Sequence, residues 1–327
     1  LVPYVPAKSP WLNQFFKLDQ FVAEIDSSIY SETDYFYREF DNKLVTISST
    51  YHNQRNLPKN YISNQKNNLH KDLQKMLLYG NPFSKSGGEF YKCFDRQLHV
   101  RRTEYDPYKP IIMSWDFNVR PYNTCTLWQK TGNLELSQID EICLEWPHNT
   151  PEAMCSEFRK RYSKTEHYSK LIIYGDHNGF NDDSKGTMNW YAQIEKFLRD
   201  YRPDNCVKPN EQVVERGNFI NSVFEKNFEG VTLWIGENCP NTINDLLYLK
   251  EKEDGDKLKE LVKDKERGGS YQKWGHCSDT LDYVITGVFE DEYYLFKTGG
   301  YLFRYDSTTE KLKSSNTFTY GTNPFGF

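Results

Sequence analysis

The sequence predicts an α/β fold: a mixed sheet in which a three-strand antiparallel meander is extended by parallel strands, with helices on both faces. Three observations predict it. From Ile111 onward, short apolar runs alternate with stretches of helical periodicity. The first three apolar runs are joined by connections too short to hold a helix, which makes them antiparallel neighbours. The later runs alternate with helical stretches, the spacing that brings strands into a sheet side by side with the same polarity.

The elements follow in order. Residues 111–119 form a strand that ends in polar groups, and residues 124–129 and 134–144 continue the meander, with Gly132-Asn133 as its turn. Thr150-Pro151-Glu152 opens a helix that runs to about Lys164, because proline at the first helical position loses no hydrogen bond there. The run Leu171-Ile172-Ile173-Tyr174 reads as a buried strand stopped by Gly175-Asp176. Helices are expected over 188–201 and 219–228, a strand over 231–235, and a last helix packed on the sheet over 280–289.

Residues 1 to about 110 differ, with mixed aromatic and polar stretches, few clear strands and an Asn/Lys/Gln-rich run from His52 to Asn68. A helix is expected from Leu57 to Leu78, with Leu69, Leu73, Met76 and Leu77 near helical spacing and Gly80-Asn81-Pro82 as its stop. The segment 249–267 carries both charge signs interleaved, the pattern of a solvated helix or hairpin. An aromatic stretch, 294–303, reads as a hairpin about Gly299-Gly300.

With 24 Tyr and 21 Phe there is ample bulky core material, so the chain folds rather than staying disordered. No apolar run is long enough to cross a bilayer, and the start lacks the charged-then-apolar layout of a secretion signal; a cytosolic setting is expected. The seven cysteines are scattered without a C-x-x-C pair, which argues for reduced buried thiols over zinc or disulfides. A net charge of −5 excludes indiscriminate coating of nucleic acid but not a local basic groove.

Three aspartates fall where an apolar element ends or a helix begins: Asp116, Asp176 and Asp279. If their strands are neighbours and the last helix crosses the sheet, the three carboxylates converge. Such a cluster repels itself and needs cations to stay ionised. Oxygen ligands without accompanying Cys or paired His select Mg²⁺ or Mn²⁺, and two such ions suit phosphodiester hydrolysis. His276, one helical turn before Asp279, would assist as a metal neighbour or proton shuttle. Singly, each residue has a plainer role: Asp176 as a loop former, Asp279 as a helix N-terminal charge, His276 as a structural side chain. Asp282 and Asp183 are lower-ranked alternatives.

At these positions the chain resembles the nuclease part of phage large terminases. The resemblance rests on Ser114-Trp115-Asp116-Phe117-Asn118-Val119, Ile173-Tyr174-Gly175-Asp176-His177-Asn178-Gly179 and Gly275-His276-Cys277-Ser278-Asp279-Thr280-Leu281-Asp282-Tyr283, in that order. It implies a ribonuclease H-like nuclease over 81–290, preceded by the end of an ATPase domain over 1–80 and followed by a C-terminal hairpin or tail over 291–327. It also implies a Mg²⁺- or Mn²⁺-dependent cut in double-stranded DNA during packaging, with Asp116, Asp176 and Asp279 as metal ligands. The partners implied are double-stranded DNA, the portal protein and the small terminase subunit, in the host cytoplasm and away from membranes. The phosphate loop G-x-x-x-x-G-K-[ST] is missing, so ATP hydrolysis is not expected and the chain is expected to be the C-terminal part of a longer terminase. A junction resolvase or ribonuclease H would use the same scaffold. A non-catalytic DNA- or portal-binding module would instead use the basic residues Arg96, Arg101, Arg102, Arg159, Lys160, Arg161 and Lys164 to meet phosphates.

Overall fold

The computed structural model describes residues 15–40, 42–68, 71–83, 87–118, 120–181, 188–226, 228–264 and 268–298. Its first elements are helix α1 (Val22–Ile29) and the antiparallel pair β1 (Phe36–Phe40) and β2 (Lys43–Ile47). Leu18, Ile25, Ile29, Phe36 and Val45 bury a small core of their own between them. This hairpin was not legible as strands, because Phe-Tyr-Arg-Glu-Phe mixes large aromatics with charges on both faces. The helix expected over 57–78 is two helices, α2 (Tyr61–Asn68) and α3 (Lys71–Leu77); Leu69 lies outside the described residues.

Next come the short helix α4 (Arg96–His99), the strands β3 (Val100–Arg101), β4 (Ile111–Asp116), β5 (Tyr122–Gly132) and β6 (Glu135–Glu145), and helix α5 (Pro151–Arg161). Strand β7 (Leu171–Gly175), helix α6 (Trp190–Phe197), strand β8 (Asp204–Asn205), helix α7 (Val213–Lys226), strand β9 (Thr232–Gly236) and helix α8 (Pro240–Tyr248) follow. The seven strands β3 to β9 make one sheet in the order β3-β9-β6-β5-β4-β7-β8. β4, β5 and β6 pair antiparallel, while β7 runs parallel to β4, β8 to β7, and β9 to β6. Three antiparallel strands continued by two parallel ones beyond the first is the ribonuclease H-like arrangement.

Every residue of β4 is buried, which is why its run is apolar without alternation. Successive side chains point to opposite faces. Ile111, Met113 and Trp115 enter a core with Met154 and Phe158 of α5 and Tyr191 and Ile194 of α6. Ile112 enters the opposite core, with Phe219 and Ile220 of α7 and Leu246 of α8.

Two short hairpins cover the charged segment, β10 (Lys250–Glu251) with β11 (Lys257–Leu258), and β12 (Leu261–Lys263) with β13 (Ser270–Gln272). Helix α9 (His276–Val288) then crosses the sheet, and α10 (Glu290–Thr298) follows it. The aromatic stretch begun at Tyr294 is therefore helical as far as Thr298, not the first limb of a hairpin; its continuation lies outside the described residues. Acidic residues in its first turn and Lys297 in its last suit the helix dipole, and Tyr293 and Phe296, one turn apart, both pack on Phe219. Among the described residues no helix is long and apolar enough to cross a membrane.

Candidate metal centre

Helix α9 is pinned to the middle of the sheet by polar contacts in the core. Ser114 Oγ donates to the Thr280 carbonyl and Thr126 Oγ1 to Thr280 Oγ1, each at 2.7 Å. Its N-terminus is fixed from α8, where the buried Asp245 carboxylate accepts from the Ser278 N–H at 3.0 Å. These bonds bring His276 and Asp279 over the end of β4, where Asp116 stands.

Asp116 and Asp279 are both 5% exposed and His276 1%. His276 Nε2–H donates to the Gln272 carbonyl at 2.9 Å, and Nδ1 lies 3.2 Å from Asp116 Oδ2. The Asn118 amide donates to the same carboxylate oxygen and lies 2.9 Å from His276 Nδ1. Among the described residues Oδ1 of Asp116 takes part in no hydrogen bond. Burial and the Asp279 charge raise the Asp116 pKa, with the His276 contact opposing them. Burial alone would lower the His276 pKa, but the hydrogen bond and charge of Asp116 raise it overall.

Asp176 stands level with Asp116, just past the end of the adjacent parallel strand β7: Trp115 pairs with Gly175, and the Asp176 N–H donates to the Trp115 carbonyl at 2.9 Å. Gly175 has φ +149°, and a Cβ there would sit 2.5 Å from the Trp115 carbonyl oxygen, so only glycine allows this approach. The half-buried Asp176 carboxylate accepts from Asn210 Nδ2 at 2.7 Å and from the Asn178 N–H at 3.0 Å, which is the loop-forming role as well. Tyr283, two turns after His276, registers all three acids: after burial, the charges of Asp279, Asp116 and Asp176 drive its phenol pKa further up.

Asp279 does not face Asp116 alone. Lys257 Nζ donates to Asp279 Oδ1 at 2.8 Å, to Asp282 Oδ2 at 2.7 Å and to Ser278 Oγ at 3.2 Å, and its side chain is 1% exposed. Lys259 Nζ donates to the other oxygen, Asp279 Oδ2, from a side chain that is 25% exposed. Burial works to raise the Asp279 pKa, yet the two ammonium groups hold it well below the usual carboxylate range. Neither lysine was singled out from the sequence. The i, i+2 spacing of Lys257 and Lys259 about Leu258, which puts both on one side of an extended segment, was the available signal.

The lower-ranked Asp282 sits deeper in the same cluster. It is fully buried, accepts hydrogen bonds from the Tyr91 hydroxyl at 2.6 Å and from the Lys257 ammonium, and faces Arg216 at 3.7 Å. Asp183 lies outside the described residues. Most of the basic residues considered for phosphate contact are engaged within the chain: Arg96 by Asp19, Arg101 by Glu135, Arg159 by Asp200, Arg161 by Asp140, Lys160 by Glu157 and Lys164 by the His167 carbonyl.

Among the described residues no group of three or more His, Cys, Asp or Glu side chains is gathered closely enough to hold a metal ion as it stands. The donor set nevertheless fits a hard divalent cation. Asp116 offers an unbonded oxygen, Asp279 a carboxylate kept ionised, and Asp176 a third at the rim of the same strand ends.

Neither a family model nor a curated protein matches the sequence. Among solved structures, the chain is similar to the large terminase of a thermophilic bacteriophage, at 14% identity and a TM-score of 0.42 over 70% of this chain and 52% of that one. The chain thus spans about half the length of that relative. It is similar to the P22 large terminase nuclease domain at 12% identity and a TM-score of 0.41, over 64% of this chain and 94% of that one. The large terminase nuclease of the thermophilic phage G20c, solved with bound magnesium, matches at 10% identity and a TM-score of 0.36, over 62% of this chain and 97% of that one.

Proposed function

We propose that this chain is the metal-dependent nuclease of a phage large terminase, hydrolysing phosphodiester bonds of double-stranded DNA during genome packaging. One observation carries the reading: Asp116 from a central strand and Asp279 from a helix far along the chain are both buried and act on each other electrostatically, beside the strand end that leads into Asp176. Folding rarely brings acids together in a core unless the charge is used. The order of the three acidic motifs along the sequence supports the same reading.

In this role Asp116 and Asp279 hold Mg²⁺ or Mn²⁺, and Asp176 completes the set for a second ion. Bound there, the ions supply Lewis-acid stabilisation of the charge that builds on the phosphate. His276 acts on Asp116: as an imidazolium it donates from Nε2 to the Gln272 carbonyl and from Nδ1 to the carboxylate, which fixes the orientation of that carboxylate. Asn118 donates to the same oxygen. Cutting would take place in the host cytoplasm in company with the portal protein and the small terminase subunit, as in the family that the motifs resemble.

Linearisation of a supercoiled plasmid in Mn²⁺ tests the reading. Asp116→Ala and Asp279→Ala should each abolish cutting while circular dichroism stays unchanged; cutting at the parental rate by either variant would remove the assignment. The lysine contacts favour one second reading, a DNA-binding module in which the acids are structural and permanently paired. That module would bind duplex DNA and show no cleavage across a Mg²⁺ and Mn²⁺ titration.

A further inference from the structure

The two lysines that meet Asp279 differ in how they are held. Lys257 is enclosed: its ammonium has three oxygen partners, Asp279, Asp282 and Ser278, and it lies 5.4 Å from the Phe90 ring and 5.2 Å from the Tyr91 ring. It is a fixed strut of the core. Lys259 is one step further along the chain, past the end of β11, with a quarter of its side chain in solvent and Asp279 as the acid it touches. Asp116, at the end of β4, also acts on this ammonium electrostatically. Its stem packs over Gly275 at the start of α9, where a Cβ would come within 2.9 Å of Lys259 Cε.

We infer that Lys259 is a resident monovalent cation at the Asp116–Asp279 pair, which a divalent ion must displace before it can bind there. The inference rests on the proposed metal site and adds its built-in competitor. Two carboxylates in a buried setting repel each other unless a positive charge lies near both. An ammonium on a flexible, partly solvated stem meets that need without a metal, and it can leave along the route by which it reaches solvent. Lys257, with its ammonium saturated and its stem enclosed, cannot. The site is therefore stable when empty of metal, and metal affinity is set partly by the cost of moving one lysine.

The test measures metal binding itself. Free Mn²⁺ is followed by its electron paramagnetic resonance signal while the 327-residue chain is titrated, for the parent, Lys259→Gln, Lys259→Arg and Asp116→Asn. Lys259→Gln should bind Mn²⁺ about tenfold more tightly than the parent or better, since it removes one charge from beside the ion. Lys259→Arg, which keeps the charge, should remain within about threefold of the parent. Without metal, Lys259→Gln should also melt at a lower temperature than the parent, and Mn²⁺ should restore it. Equal or weaker Mn²⁺ binding by a folded Lys259→Gln overturns the inference. If Asp116→Asn binds Mn²⁺ as the parent does, the metal site itself is wrong; if Asp116→Asn loses binding and Lys259→Gln matches the parent, only the role of Lys259 falls.

Discussion

Replacing Lys257 by methionine isolates the energetics of the buried charge cluster. Methionine keeps most of the stem and can still pack on the Phe90 and Tyr91 rings, so the perturbation is nearly confined to the ammonium. Its loss leaves Asp282 Oδ2 and Asp279 Oδ1 without their closest cation, both in the core. Removing one partner of a buried pair costs about 3–5 kcal/mol, because the remaining charge stays desolvated. Here the residual cations are Lys259 on Asp279 and Arg216 at 3.7 Å from Asp282, which places the loss at the lower end, about 3 kcal/mol. Urea denaturation followed by tryptophan fluorescence would report it as a lower midpoint at unchanged slope. The double variant Lys257→Met with Asp282→Asn should recover at least about 1 kcal/mol, since the two sites share one interaction. A loss below about 1 kcal/mol in the single variant, with no recovery in the double one, would refute the idea that Lys257 neutralises a strained acidic cluster. The sign with pH follows from the depressed Asp279 pKa: the contribution is present above the ordinary aspartate value of 3.8 and is lost as pH falls through the lower folded value.

Other outcomes are expected elsewhere. Gly175→Ala should cost about 1–3 kcal/mol and weaken cleavage as well, because the added Cβ pushes on the Trp115 carbonyl and so on the pairing that sets Asp176 beside Asp116; thermal melting and plasmid cutting read the two effects. His276→Ala should lower the cleavage rate about 10–100-fold with little loss of fold, and an unchanged rate would show that Asp116 does not depend on His276 for its orientation. Burial pushes the Glu141 carboxyl up to about 7, against the bonds it accepts from the Asn241 and Thr242 N–H groups. Its stabilising contribution is full below the unfolded value of 4.5 and is lost as pH rises through about 7. Relative to Glu141→Gln, the parent should therefore lose up to about 3 kcal/mol between pH 5 and 8, and a pH-independent difference would contradict the burial effect.

The sheet was legible because burial writes itself into composition. β4 and β7 are central, so they read as apolar runs, and β5 and β6 are joined by a turn at Gly132-Asn133 that the residues announce. Asp116, Asp176 and Asp279 stood out because each interrupts or follows such a run. The partners of Asp279 did not stand out. Lys257 and Lys259 lie in a segment dense with both charges, where solvated lysines look the same as buried ones, and only the fold of two short hairpins turns these two inward. Arg216 and Asp245 were hidden in the same way inside helices whose polar positions ordinarily face water. The helix from Glu290 escaped notice because Tyr and Phe favour strands in isolation, whereas here Tyr293 and Phe296 are recruited by Phe219 on α7.

A crystal soaked in Mn²⁺ and measured at the manganese absorption edge tests the central claim most directly. An anomalous peak about 2.2 Å from carboxylate oxygens of both Asp116 and Asp279, with the Lys259 ammonium moved away, is the predicted result. A peak bound elsewhere, or none at saturating Mn²⁺ with Lys259 still on Asp279, would contradict it.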